Sequence, residues 1–334
     1  MGRMVDVSSF MGFHISDYDL GASRQHCKRF FAQRIPFIPH TLTLRLKTNA
    51  FLLNRFAESN KYDIYHQTYF YDVLRRWNGK RVVTVYDMIY ELYPQDYEPD
   101  DPTARNKAEA VRRADFVICI SEQTRRDVVD ILRIPKEKTG VVYLSNSLTL
   151  TVTMPRVIDS PYLLYVGKRG GYKNFGSVVK AFAQTPSLRD RFQLICFGGG
   201  EFTQHELETF AGLRLDNKCR QIAGSDEVLA NLYQHAAAFV YPSTYEGFGI
   251  PPLEAMHYGC PVVASNASSI PEVVGGAGIY FTPSSVDDIA DRLESAVSDS
   301  ALRSSIIEHG YAREKLFSWD RCAHETLAIY EQLV

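Results

Sequence analysis

Glu246 and Glu254 stand with seven residues between them, on either side of the turn Gly-Phe-Gly-Ile-Pro-Pro. Gly247 and Gly249 let the backbone come close to a ligand. Pro251 or Pro252 suits the first turn of a helix, whose free N–H groups and positive dipole end favour phosphate. The spacing predicts Glu246 on the loop and Glu254 in the first turn of that helix. One carboxylate then meets the sugar hydroxyls of a nucleotide and the other the group its phosphate carries, with Phe248 and Ile250 inside the same turn. The plainer alternative is a strand–loop–helix joint in which Glu246 solvates a turn and Glu254 complements the helix dipole.

A second constellation, YVGKRGGYKNF at 165–175, follows an apolar strand pattern. Gly167, Gly170 and Gly171 permit a tight backbone, while Lys168, Arg169 and Lys173, with Asn174 beside them, bring positive charge to one loop. Fixed cations stabilise negative charge that develops as a bond to a diphosphate breaks. FGGGE at 197–201, with Gly199 at its centre, is either a tight turn or a backbone contact to a nucleotide. In the first half, TVYDMIYE ends a strand pattern at Tyr86 and Asp87, and His66 ends another. Set among tyrosines, His66 is either a packed, hydrogen-bonded imidazole or an acid–base group reaching in from a neighbouring loop.

Taken in order, TVYDMIYELYP, CISEQTRRDVV, YVGKRGGYKNF, FGGGE, PSTYEGFGIPPLEAM, GCPVVAS, IPEVVG and FSWDRCAHETLAIYEQL resemble the signature of the retaining glycosyltransferases of family four, bacterial surface-polysaccharide type. The likeness runs from Arg81 to the last residue, about three quarters of the chain. It implies an α/β protein of the GT-B fold: two Rossmann-like parallel-sheet domains face a cleft, and a C-terminal helix crosses back to the first. It also implies transfer of a hexose from a nucleotide-diphosphate sugar, GDP-mannose being the candidate donor, to a hydroxyl of an oligosaccharide or lipid-linked acceptor. Neither a metal nor another cofactor is implied. By the same resemblance Lys168 and Lys173 hold the diphosphate, with Arg169 an additional candidate, and Glu254 binds the ribose. Glu246 and the backbone of Gly247 to Gly249 hold the sugar and its leaving group. Glu246, Lys173 and Asp87 are the catalytic candidates. Gly167, Asn174, Gly199, Phe248 and Ile250 complete the donor set, and His66 and Tyr86 lie on the acceptor side. The family carries histidine where this chain has Tyr86, which bears on rate or sugar identity; in such enzymes the departing phosphate is thought to take the acceptor's proton. A non-catalytic GT-B subunit and a nucleotide-sugar epimerase are the rival readings.

The beginning of the chain matches least: VDVSSF reads as a strand, and GASR at 21–24 is a poor glycine loop, so Arg24 is given no role. Asp17-Tyr18-Asp19 has the D-x-D shape of a metal-binding motif but follows no core strand, so it reads as a loop. G-x-S-x-G, H-E-x-x-H, Walker A and G-x-G-x-x-G patterns are missing from the sequence.

Those loops must be carried by parallel sheets. Short apolar runs alternate with helical patterns: strands at 63–66, 81–86, 115–120 and 140–143, then at 162–166, 192–197, 237–241, 261–265 and 278–281, with helices at 103–114 and 122–132. Ser121 and Thr124 suit the cap of the latter helix. Residues 145–161 have no helical period and are framed by prolines, so the linker is expected there, between an acceptor-side domain at 1–150 and a donor domain at 151–334. At 334 residues, two domains is the natural division. Trp319, Cys322, Ala323, Thr326, Leu327 and Tyr330 share helical spacing and predict a core-facing last helix.

A net charge of −2 argues against nucleic acid as a partner, and no apolar run reaches membrane-helix length. Residues 1–60 nevertheless carry eight Lys/Arg against four Asp/Glu, which is either a solvated surface or a patch for peripheral contact with anionic lipid at the inner face of the membrane. The six cysteines lack zinc or C-x-x-C spacing and read as reduced thiols of a cytoplasmic protein.

Overall fold

The computed structural model describes residues 6–14, 27–36, 38, 42–58, 62–70, 74 and 77–334. Asp17 to Asp19 and Gly21 to Arg24 lie outside the described residues.

Runs of Val, Ile, Leu and Tyr form strands buried on both faces, as parallel strands covered by helices must be. In the second half these are β7 (Tyr162–Val166), β8 (Gln193–Phe197), β9 (Cys219–Ile222), β10 (Ala238–Tyr241), β11 (Val262–Ser265) and β12 (Gly278–Phe281). They make one parallel sheet in the order β12-β11-β10-β7-β8-β9. Alternation along β7 sends Leu164 to one core, with Ile195, Phe239 and Leu253, and Leu163 to the other, with Val178, Phe182 and Leu194. From β7 the chain builds outward to β9, then returns to β10 on the other side of β7 and builds to β12. The order therefore reverses between β7 and β10, where an open parallel sheet leaves a crevice at its carboxyl ends.

The first half holds a four-stranded parallel sheet, β3 (Ile64–Gln67), β4 (Lys80–Val85), β5 (Phe116–Cys119) and β6 (Thr139–Val141). Before it, β1 (Ser8–His14) and β2 (Arg29–Arg34) pair in parallel as a separate two-stranded sheet. Phe10 stacks on Phe31 across that pair, and helix Leu42–Glu58 brings Phe56 against Phe10. These two strands do not extend the four-stranded sheet.

Helix Glu122–Leu132 starts at Ser121, whose side chain accepts from the Thr124 N–H. The last helix, Trp319–Leu333, crosses back and lays Cys322, Ile329, Tyr330 and Leu333 on Val82 and Ile118 of the four-stranded sheet and on Val142 just beyond it. Its stripe differs from the one read in the sequence. Trp319 is 44% exposed and Ala323 is exposed, while Ile329 and Leu333 face the sheet. The six cysteines are free thiols. Among the described residues no helix is long and apolar enough to cross a membrane.

Candidate functional site

The loops after β7 and β10 meet at the switch point and are fastened to each other. After β7, Gly167 takes φ 119°, and Gly171–Lys173 form one 3-10 turn closed by Asn174 at φ 57°. Asn174 Nδ2 donates to the carbonyls of Pro242 (3.1 Å) and Pro283 (2.8 Å), and its Oδ1 accepts from Ser177 Oγ at 2.6 Å. The Thr244 N–H and Oγ1 both donate to the Tyr172 carbonyl, at 2.8 and 3.1 Å. This sewing brings Lys173 Nζ to Glu246 Oε1 at 2.7 Å, with the two side chains 21% and 10% exposed. Tyr241 lies buried beside them, and burial together with the Glu246 charge pushes its hydroxyl well above the usual tyrosine range.

Glu254 falls in the second turn of helix Ile250–His257 rather than the first, because the helix begins at Ile250, with Pro251 and Pro252 behind it. Its Oε2 accepts from Tyr233 Oη at 2.9 Å. Burial raises its carboxyl above the usual range, and the tyrosine bond opposes that shift.

Not every basic residue of the glycine loop is available. Lys168 is exposed. Arg169 is 9% exposed and is engaged within the chain: Nε meets Glu206 at 2.6 Å, and Nη1 and Nη2 donate to the carbonyls of Gly198, Gly200 and Glu201. It fastens the FGGGE loop under the β7 loop. Gly199 sits there at φ 70°, and a Cβ on it would come within 2.5 Å of the Gly167 carbonyl.

The first domain presses on this site from the end of β4. A Cβ on Gly247 would stand 1.8 Å from the Tyr86 carbonyl, so only glycine admits this approach. Asp87 Oδ1 accepts from the Ile89 N–H at 3.0 Å and lies 3.7 Å from Lys107 Nζ. Lys107 is wholly buried; it donates to the Asp87 carbonyl and to Glu91 Oε2, both at 2.8 Å. Further along, Tyr93 Oη meets Thr244 Oγ1 at 3.2 Å, and the Tyr172 N–H meets Asp96 Oδ2 at 3.4 Å.

His66 is not brought to the Lys173–Glu246 pair. It lies under the last helix, its Nδ1 bonded to Tyr330 Oη and its Nε2 2.8 Å from Thr84 Oγ1. Burial lowers its pKa to about 4. Tyr86 stands near the same helix, its hydroxyl raised by burial and by Cys322.

Sequence reasoning overlooked Lys107, Thr124, Asp127, Tyr172, Tyr245 and Glu272 as contributors. Lys107 had a signal, since it shares the buried stripe of helix Thr103–Arg113 with Thr103, Ala110 and Val111. A lysine at a core position of a helix requires partners.

Comparison with known proteins gives these loops their context. Residues 155–313 match the family described as Glycosyl transferases group 1, and residues 16–144 match Glycosyltransferase Family 4. The O-antigen chain mannosyltransferase B of Escherichia coli is 30% identical over 286 residues, covering 81% of this chain and 74% of that one. The serotype-specific mannosyltransferase WbdA of Escherichia coli is 27% identical over 275 residues, 76% of this chain and 34% of its own length. Sucrose-phosphate synthase of Thermosynechococcus elongatus shares the fold with a TM-score of 0.75 at 23% identity, over 92% of this chain and 84% of that one. Anabaena HepE, solved with UDP and glucose, does so with a TM-score of 0.74 at 19% identity, over 96% and 91%. With both halves matched and a relative 30% identical over 74% of its own length, the chain belongs to the family 4 glycosyltransferases, enzymes of the GT-B fold.

Proposed function

We propose that this enzyme moves a mannosyl residue from GDP-mannose to a hydroxyl of an oligosaccharide or lipid-linked glycan, with retention at the anomeric carbon. The observation that carries the reading is the Lys173–Glu246 pair, held where two strand-end loops converge. Names of relatives, two of them O-antigen or serotype-specific mannosyltransferases, support the sugar and the type of acceptor.

In this reading the diphosphate enters beside Lys173 and Lys168, and Lys173 turns from Glu246 to a phosphate oxygen. Glu246 then accepts from a sugar hydroxyl, and the backbone of Gly247 to Gly249 lines the leaving group. Glu254 receives the ribose hydroxyls, with Tyr233 fixing its carboxylate. The bond from C1 to the phosphate oxygen breaks and the acceptor oxygen bonds to C1 on the same face. The acceptor's proton passes to the departing phosphate. The ammonium groups stabilise charge that grows on that phosphate, which lowers the barrier more than it tightens ground-state binding. No metal is required for that role. We assign residues 1–150 to the acceptor-side domain and 151–334 to the donor domain.

Helix Leu42–Glu58 supports peripheral contact with an anionic membrane surface at the inner face of the membrane. Leu44, Lys47, Phe51 and Arg55 share one face, with Leu44 67% and Phe51 61% exposed and both bases exposed. Apolar side chains entering the interface beside cations suit anionic lipid.

Titration calorimetry with GDP, UDP, dTDP and their sugar conjugates, with chelator present, tests the donor. Binding of GDP and GDP-mannose with transfer to a mannose-terminated acceptor is the expected result. Preference for another nucleotide overturns the donor assignment, and conversion of the donor with no acceptor present points to an epimerase.

A further inference from the structure

Three consecutive carbonyls of the Glu246–Phe248 loop are each held by a hydroxyl. The Glu246 carbonyl accepts from Ser268 Oγ and Ser269 Oγ, both at 2.8 Å, and the Phe248 carbonyl accepts from Ser269 Oγ at 2.8 Å. The middle carbonyl, that of Gly247, accepts from Thr124 Oγ1 at 3.1 Å. The serines belong to the same half of the chain as the loop. Thr124 does not: it sits in the first turn of helix Glu122–Leu132, beside the first sheet.

All peptide bonds here are trans, and in a trans peptide the carbonyl of one residue and the N–H of the next point in opposite directions. Because one hydroxyl, that of Ser269, shares its proton between the Glu246 and the Phe248 carbonyls, the N–H groups of Gly247 and Gly249 leave on the face away from it. The Thr124 bond to the Gly247 carbonyl likewise turns the Phe248 N–H away from Thr124. Among the described residues none of these three N–H groups has an acceptor. Backbone N–H groups left without an acceptor are available to an anion.

A carbonyl only accepts, so the Thr124 hydroxyl proton goes to Gly247 and Thr124 Oγ1 can itself accept. Ser121 and Thr124 are both wholly buried, and Ser121 Oγ donates to Thr124 Oγ1 at 3.0 Å. Two further contacts dock the same helix on the second domain. Tyr245 Oη donates to Asp127 Oδ2 at 2.6 Å, one turn along from Thr124, and Glu272 accepts from the N–H groups of Glu122 and Gln123.

We infer that Thr124 is a positioning residue for the donor loop, so that its anion-binding face is complete only when the first domain is closed against it. The inference rests on the donor-site reading above. It adds that domain closure and assembly of the donor loop are one event, in which the Thr124 hydroxyl is the first domain's hydrogen bond to the Gly247 carbonyl.

The test compares Thr124→Val, which keeps shape and removes the hydroxyl, with Thr124→Ser, which keeps the hydroxyl. The first measurement is hydrogen exchange of the segment 245–253 in the ligand-free enzyme; the second is kcat and KM for nucleotide-sugar turnover. T124V is expected to speed exchange of the loop amides at 247–249, which burial alone protects, and to lower kcat about tenfold, the scale of one buried hydrogen bond. T124S is expected to stay near the parent in both. Parent-like exchange in T124V overturns the inference, as does a T124S that fails as T124V does, since packing of the methyl would then be the cause. Should T124V not fold, Thr124→Cys, a poorer donor of similar size, is read the same way. The exchange measurement needs no ligand, so it decides the role of Thr124 even if no nucleotide sugar proves to be a substrate.

Discussion

The carboxylate of Glu272 caps the helix that begins at Glu122, accepting its N–H at 2.6 Å and that of Gln123 at 3.2 Å from the opposite domain. A carboxylate at a helix N-terminus meets unpaired donors and the positive dipole end together. Glu272→Ala is therefore expected to cost about 1–2 kcal/mol of stability and to lower kcat. Glu272→Gln, which keeps one acceptor, should fall between. Calorimetric unfolding alongside steady-state kinetics checks this; parent values of both in the alanine variant would refute it.

Lys173→Ala and Glu246→Ala are each expected to reduce kcat by about 10²–10³-fold, the size seen when one preorganised charge-stabilising group is removed. Each also leaves a partly buried charge without its partner, so each single change should destabilise more than half as much as both together. Denaturant titration of the two singles and the double completes that cycle.

The fold holds His66 as neutral imidazole. Burial lowers its pKa from 6.5 to about 4, so the unfolded chain binds a proton there at a higher pH than the folded one. Stability linked to His66 is thus fully present above pH 6.5 and falls as pH drops toward 4, by up to about 3 kcal/mol. Unfolding free energies between pH 7 and 4 should show this slope in the parent and lose most of it in His66→Gln. An unchanged slope would place the titration elsewhere.

Leu44→Glu with Phe51→Glu puts two negative charges on the exposed stripe of helix Leu42–Glu58. Co-sedimentation with vesicles containing phosphatidylglycerol should fall sharply relative to the parent, while binding to phosphatidylcholine alone stays weak in both. Equal sedimentation of parent and variant with anionic vesicles would remove the membrane contact from the proposal.

Much of this arrangement is readable from local pattern. YLLYV, GIYF and the helix at 122–132 appear where their apolar spacing places them, because each is decided by burial along a few residues. β9 escaped notice since CRQI carries an arginine and a glutamine at the sheet edge, and β2, RFFAQR, is framed by arginines. At the site, Lys173 and Glu246 were marked by charge beside glycine. The contacts from Thr124, Asp127 and Glu272 join residues 118 to 150 positions apart, and no local period encodes them. Arg169 illustrates the same gap, since its neighbours in sequence gave no sign that Glu206 and three carbonyls would claim it.

The chain passes between the two sheets twice, after β6 and again before the last helix, and the two passages are bonded side by side. Ser145 Oγ donates to the Phe317 carbonyl at 3.1 Å and Trp319 Nε1 to Ser147 Oγ at 2.9 Å. Two adjacent covalent tethers leave one easy degree of freedom, a swing about the line they share, and forbid the halves from twisting freely or drifting apart. Tyr143 and Phe317 at that axis both lie against the ring of Phe248, their centroids 6.0 and 5.7 Å away. Phe248 thus sits close to the axle, where a rotation displaces a side chain least, so the loop it belongs to keeps its footing while the far ends of the halves travel.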